Sequence, residues 1–492
     1  MSTRYWKRCI AGVLAGGAAL TCGVAAATGS FDFGAFRDGQ LASKSEQLYG
    51  IGKPVAASST LAVDAATASA DPTKLVTLAK GLKAKVVTSG VAPPNVDQIT
   101  LWPNDTNPTY LIACNEQGTT APGLVRINIQ TGASSTILTG TTACDPTRLT
   151  PWGTLLFGEE AGASGQMFEL KDPLTTNNVV YDRVAGTFSG ADAANVVRRD
   201  SLGRLSFEGL AIYPNGVTYY GDENRPANGT PGGAYFKYVP TTPWSGGTLT
   251  DLSQSPFASG SVSGLRLGKL VSGANTDYGQ GTQIGRGTWV PVCSDGTATP
   301  CNDPDLRAFT AANKLTGYYR PEDLSVDPAA LANGQSVKSC GPNTGNEGTD
   351  HNWGEVICIT DGNLSAATAG TATPEVQYFV LGSSDLAMLD NIAYQNGARG
   401  NWVLHEDGDI DITGKNNDLW DCLPDGSDAD TQSDGCIRIG TLNDRPVNAP
   451  GFNPEGAEWT GGIFDATGTH FYVSIQHNVT GKAVVLDITG WK

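Results

Sequence analysis

Four carboxylates each stand just ahead of an apolar, strand-like run: Glu208 in FEGLAI, Glu322 in RPEDLSV, Asp390 in LDNIAY and Glu458 in AEWTGGIF. A single carboxylate at a strand start need only accept backbone hydrogen bonds. Four at one phase of a repeat, gathered by a circular fold, repel one another, and protons, water or a cation must relieve that repulsion. Hard cations such as Ca²⁺ and Fe³⁺ favour oxygen ligands. Glu208, Glu322 and Glu458, with Glu159 or Glu160 at the end of TLLFGEE, are the candidate ligands of a multi-metal site. Arg320 stands two positions before Glu322, so an extended strand turns both side chains to one face. A guanidinium there suits a phosphate oxygen and developing phosphoryl charge; a salt bridge to a neighbouring glutamate is the equally open structural reading. The four histidines, His351, His405, His470 and His477, share no ligand spacing, and no Gly-x-Ser-x-Gly elbow occurs. A histidine-built zinc hydrolase and a serine hydrolase are therefore disfavoured.

Positioning such residues requires a repeat. Glu208-Gly-Leu-Ala-Ile passes through Tyr213-Pro-Asn-Gly to Val217-Thr-Tyr-Tyr and ends in Gly221-Asp-Glu-Asn. Asp390-Asn-Ile-Ala-Tyr leads to Trp402-Val-Leu-His and Glu406-Asp-Gly, and Glu458-Trp-Thr-Gly-Gly leads to Phe471-Tyr-Val-Ser-Ile and Gln476-His. Glu322-Asp-Leu-Ser-Val opens a fourth copy, with a longer connection to Glu355-Val-Ile-Cys-Ile, and weaker copies begin at Asp97 and Thr147. Each reads as a hairpin, with β-branched and aromatic runs joined by Pro, Asn and Gly. Six hairpins predict an all-β fold, a six-bladed β-propeller with long inter-blade insertions. Residues 1–27 read as an export signal, 28–90 as an N-terminal extension, and 91–492 as one propeller domain. The wide gap between the copies at Glu208 and Glu322 is read as an insertion over about 225–310, rich in Gly, Pro, Ser and Thr.

Composition narrows the function. A net charge of −17 over 492 residues excludes a phosphate-backbone nucleic-acid binder. Arg4, Lys7 and Arg8 precede an apolar stretch that closes on Ala25-Ala26-Ala27, the pattern of a cleaved signal, and no segment reads as a stable membrane span. The expected location is periplasmic or extracellular, and the expected state a monomer. Removing the signal takes Cys9 and Cys22 and leaves eight cysteines in neighbouring couples: Cys114 and Cys144, Cys293 and Cys301, Cys340 and Cys358, Cys422 and Cys436. An even count in an exported chain suggests four disulfides.

TPWGTLLFGEE (150–160), GRLSFEGLAI (203–212), YYRPEDLSVDP (318–328), DNIAY with LHEDG (390–408) and EWTGGIFDATGTHFYVSIQH (458–477) together resemble the PhoX-type alkaline phosphatases, a family of exported bacterial proteins. The resemblance implies a six-bladed propeller whose channel holds iron and calcium and hydrolyses phosphomonoesters. Carried over by motif, it implies Glu208, Glu322, Glu458 and Glu159 or Glu160 as metal ligands and Arg320 as a phosphate contact. It also implies a cysteine ligand to iron shortly before Thr150-Pro-Trp-Gly-Thr. Cys144 stands near that place, one residue further away, with Cys114 as a competing disulfide partner. The expected partner is a small phosphorylated substrate. The reading from another class is a noncatalytic secreted calcium-binding propeller that binds proteins or glycans.

Overall fold

The computed structural model describes residues 33–226, 232–268, 284–346, 352–397, 399–426, 428–444 and 456–492. The expected export signal, His351 and parts of the expected insertion lie outside them. Five of the six predicted hairpins form as read. Phe207–Ile212 pairs antiparallel with Thr218–Asp222, Leu389–Tyr394 with Trp402–Glu406, and Glu458–Phe464 with His470–Gln476. Val96–Trp102 pairs with Tyr110–Asn115 and Cys144–Leu149 with Leu155–Glu159, so the two weaker copies are hairpins as well. The fourth differs from its reading: Ser325–Val326 pairs with Ser336–Asn343, and Glu355–Asn363, expected as its second strand, is the next strand beyond.

The first strands of these hairpins touch in succession, and the last, Glu458–Phe464, returns to Val96–Trp102, so they close a circuit. The fold is all-β and propeller-like. Among the described residues, its strands are distributed over five sheets of four, four, five, six and nine strands, rather than over six separate blades. The difference lies in the nine-stranded sheet, where Gly285–Ser294 pairs at one end with Glu375–Leu381 and joins two runs of strands edge to edge.

Two stretches do more than the sequence indicates. The expected insertion supplies strands Tyr235–Pro240, Gly260–Leu267 and Gly285–Ser294. Its small residues hide the pleat, since Gly and Ser carry little hydrophobic contrast between the two faces of a strand. The expected N-terminal extension also pairs into the sheets. Val76–Leu78 joins Cys436–Leu442, and Lys83–Ser89 joins the C-terminal strand Val484–Thr489, with Val86 opposite Leu486.

Apolar clusters fill the space between the two runs of the nine-stranded sheet and the spaces between neighbouring sheets. Ala211, Tyr213, Tyr219, Leu265, Val337 and Ile357 form one, and Trp459, Phe471, Val473, Leu486 and Trp491 belong to another. Each fully buried aliphatic or aromatic side chain contributes about 1.5–3 kcal/mol. These clusters hold the sheets face to face and leave the central ends of the hairpins free to carry polar groups. Among the described residues, no helix is long and apolar enough to cross a membrane.

Candidate metal centre

A repeated backbone irregularity sets the site. Val96 pairs with Asn115 and Ile99 with Ala113, so two first-strand residues oppose one on the second strand. The same shift falls between Cys144 and Thr147, between Phe207 and Leu210, and between Leu389 and Ile392. Such a bulge bends the strand and re-aims a side chain. The residue it re-aims is Asp97, Asp145, Glu208 or Asp390. Glu322 follows Pro321, which bridges Asn343 ahead of the Ser325–Cys340 pair, and so occupies an equivalent place. Glu458 departs from the pattern. It is paired with Gln476, and its bulge comes later, between Thr460 and Ile463.

Close backbone approach brings these positions together. At Gly209 a Cβ would sit 1.6 Å from the Leu324 backbone nitrogen, so only glycine lets the strand carrying Glu208 lie against the segment carrying Glu322.

Asp97, Glu116, Asp145, Glu160, Glu208, Arg320, Glu322, Asp390, Asp407, Glu458, Gln476 and His477 line a cavity of about 200 Å³. One oxygen each from Asp145, Glu160 and Glu208 lies within 4.8 Å of the others. The Arg320 Nε donates to Glu223 Oε1 at 2.6 Å and lies 3.1 Å from Glu322 Oε1, while a terminal guanidinium nitrogen is 3.6 Å from Asp407 Oδ2. Thr344 donates to Glu322 Oε1 at 2.6 Å. His477 Nδ1 is 3.1 Å from Glu458 Oε1, and Gln476 donates to Glu116 Oε2 at 3.0 Å.

Deeper along the same strands a polar layer closes the channel. Arg148 pairs with Asp323 and donates to Gln98 at 2.8 Å, and Thr460 donates to Asn391 at 2.8 Å. Beyond it, Leu149, Leu210, Ile212, Ile392 and Ile463, together with Asp105 and Arg148, line a separate cavity of mixed polarity.

The electrostatics carry the mark of crowded carboxylates. Burial, reinforced by Asp145 and Glu322, holds Glu208 well above the usual carboxylate range. Burial does the same for Asp97, Asp390 and Glu458, each with further carboxylates nearby, and raises Glu160 as well. Asp145 is pushed up to about 7 by burial. Glu322 is pushed up to about 8 by burial against the pull of Arg320. Glu223 and Asp407 are buried too, yet fall below the ordinary value: Arg320 pulls Glu223 down, and a hydrogen bond with Glu458 together with Arg320 does so for Asp407. Arg320 stays firmly charged despite burial because Glu322, Glu223, Asp407 and Asp390 surround it. Without added positive charge, this cluster retains protons near neutral pH.

Of the residues singled out from sequence, Arg320, Glu160, Glu208, Glu322, Asp390 and Glu458 line the cavity. Glu159 does not. It pairs in register with Cys144 and turns away from the channel, accepting from Thr142 N at 2.9 Å and Gln166 N at 3.1 Å and pairing with Arg183. Adjacent strand residues face opposite sides, which separates Glu159 from Glu160. Cys144 also stays outside. It is disulfide-bonded to Cys114 and buried in an apolar cluster with Ile112, Leu155 and Phe157, so no thiolate reaches the channel from it.

Sequence reasoning missed Asp145, because the second copy was started at Thr147. Setting DPTRLTPWG beneath EGLAIYPNG puts Asp145 in phase with Glu208. It also passed over Glu116, Glu223 and Asp407, each of which, like Glu160 and His477, follows the last paired residue of a second strand.

A family model described as alkaline phosphatase PhoX matches residues 107–478. Among solved structures, Pseudomonas fluorescens PhoX in complex with vanadate, a transition state analogue, superposes with a TM-score of 0.60 at 16% identity, covering 90% of this chain and 98% of that one. The PQQ-bound form of aldose sugar dehydrogenase from Streptomyces coelicolor gives a TM-score of 0.40 at 11% identity, covering 84% of this chain and 100% of that one. No match was found among curated protein sequences.

Proposed function

Because the chain belongs to the PhoX alkaline phosphatase family, we propose that it is an exported, metal-dependent phosphatase that hydrolyses phosphomonoesters in the acidic cavity. The observation that carries this reading is the convergence, in a cavity of about 200 Å³, of one buried guanidinium with carboxylates that retain protons when no cation is present.

The donor set fits a cation. Asp145, Glu160 and Glu208 present oxygens at short mutual distance, and Asp145 Oδ1 is buried and receives no hydrogen bond from an N–H or alcohol donor. Glu322 and Glu458 complete the candidate ligand set. A cation held there supplies Lewis-acid neutralisation of phosphoryl charge and makes water more acidic near neutral pH. The chain's own part is positional. Arg320, held in place by Glu223, Glu322 and Asp407, presents its guanidinium to a phosphoryl oxygen and stabilises charge that grows in the transition state. The buried walls exclude bulk water and strengthen that interaction. Water adds to phosphorus, the bond to the ester oxygen breaks, and the alcohol leaves with a proton as inorganic phosphate is formed.

We read the nine-stranded sheet as two blades fused at their outer edges, which makes the propeller six-bladed. Calcium is the cation the oxygen donors favour. The four disulfides support export.

The test is turnover of p-nitrophenyl phosphate by the purified protein before and after chelation. Hydrolysis that disappears on chelation and returns with calcium is expected; undiminished hydrolysis in the chelated protein counts against the reading. A second expectation separates two neighbouring residues. Glu160→Gln should weaken calcium binding about tenfold or more. Glu159→Gln should leave binding unchanged and cost about 1–3 kcal/mol of stability by loosening its hold on Arg183. Calcium titration and melting of both variants check this, and equal loss of calcium from the two would refute the assignment.

A further inference from the structure

We propose that the channel centre of this chain is built without sulfur, with Asp145 as the ligand in place of Cys144, and that it therefore takes calcium and does not take iron through a thiolate. This deepens the reading of the channel as a cation site and rests on it.

Three observations lead there. First, the bulge between Cys144 and Thr147 turns Asp145 into the cavity. Cys144, one residue earlier, is bonded to Cys114 on the neighbouring sheet and is fully buried among apolar side chains. All eight cysteines among the described residues are paired in this way. Second, Asp145 is 4% exposed, its Oδ1 receives no hydrogen bond from an N–H or alcohol donor, and its carboxyl meets the Glu208 carboxyl across a shared proton. A buried carboxylate oxygen without a donor is costly unless something positive occupies the space before it. Third, that space is shared with oxygens of Glu160 and Glu208.

The donors around the cavity are carboxylates, the Gln476 amide and the His477 imidazole. Thiolates select softer metals, whereas carboxylate and carbonyl oxygens suit calcium, which takes six to eight of them. The disulfide has a second consequence. Among the described disulfides, Cys293–Cys301, Cys340–Cys358 and Cys422–Cys436 each close a local loop or strand pair, whereas Cys114–Cys144 ties two sheets together beside the bulge. It anchors the backbone that presents Asp145 while removing the sulfur from use.

The experiment uses the full chain, expressed for export in medium containing both iron and calcium, with metals measured by elemental analysis and calcium binding by calorimetry without substrate. Wild type should carry calcium in whole-number stoichiometry and iron at no more than about a tenth of an equivalent, with no visible thiolate-to-iron absorption. Asp145→Asn should bind calcium about tenfold or more weakly. The paired change Cys114→Ser with Cys144→Ser should keep the calcium stoichiometry. Stoichiometric iron with an absorption band lost in Cys144→Ser would overturn the proposal, as would unchanged calcium binding in Asp145→Asn. The wild-type metal content decides the matter even if a variant folds poorly. Calcium binding as expected in a protein that fails to hydrolyse p-nitrophenyl phosphate would sink the phosphatase reading and leave this one standing.

Discussion

Arg320→Ala is expected to lower kcat/KM for p-nitrophenyl phosphate by about 10²–10³, the usual loss when one preorganised donor to developing oxyanion charge is removed. The side chain earns this expectation by its setting. Its Nε is 2.6 Å from Glu223 and 3.1 Å from Glu322, and a terminal nitrogen reaches toward Asp407. Such anchoring leaves the fork preorganised, with little conformational freedom to lose when substrate arrives. Arg320→Lys should recover only part of the loss, because an ammonium cannot reproduce a planar two-point contact. The measurement must be made at saturating calcium. Removing the guanidinium leaves Glu223, Glu322 and Asp407 facing one another, and breaking a buried charge pair on one side costs about 3–5 kcal/mol. Folded, calcium-loaded Arg320→Ala protein with wild-type turnover would show that the arginine is a structural ion pair and nothing more.

Stripping the cation should reverse the pH dependence of stability. Glu322 sits at about 8 and Asp145 at about 7 in the folded chain, against about 4 for free carboxyls. The folded state therefore holds protons that the unfolded chain has already released. The stability linked to those protons is fully present below about pH 4 and is lost as pH rises through 7 and 8. The chelated protein should thus melt at a lower temperature at about pH 8 than at about pH 6.5. Calcium replaces the protons, so the loaded protein should lose stability on acidification instead. His405 has the opposite sign: burial lowers it to about 3, so its contribution falls only as pH drops below the unfolded value of about 6.5. The interval from about 6.5 to 8 isolates the channel from it. Glu355, Glu406 and Asp421 also sit near 7. They lie outside the cavity lining and contribute equally with and without calcium, so the difference between chelated and loaded melting curves carries the result. Parallel curves over that interval would mean that the carboxylates are not relieved by a cation.

These expectations depend on side chains that differ in how plainly the sequence announced them. Glu208, Glu322 and Asp390 were visible because a hairpin repeat places the same residue type at the same phase, and a strand's period of two is a local property of the backbone. Arg320 was visible for a related reason, standing two positions from Glu322. Glu458 was found as well, although the structure puts it before its bulge instead of within one. Asp145 was hidden because its copy reads as beginning at Thr147, and a one-residue displacement decides whether Cys144 or Asp145 faces the channel.

Composition, turn chemistry and hairpin spacing are set by short-range sterics and hydrogen bonding, so the all-β class, the repeat and the acidic phase could be read along the chain. Tertiary structure alone decided four other matters: the pairing of residues 83–89 with the C-terminal strand, the edge that joins two runs of strands into nine, the turning of Glu159 toward Arg183, and the enclosure of Cys144 by Cys114. Each depends on a partner remote in sequence or on a bulge whose position follows from how neighbouring sheets pack, and local preference contains no term for either.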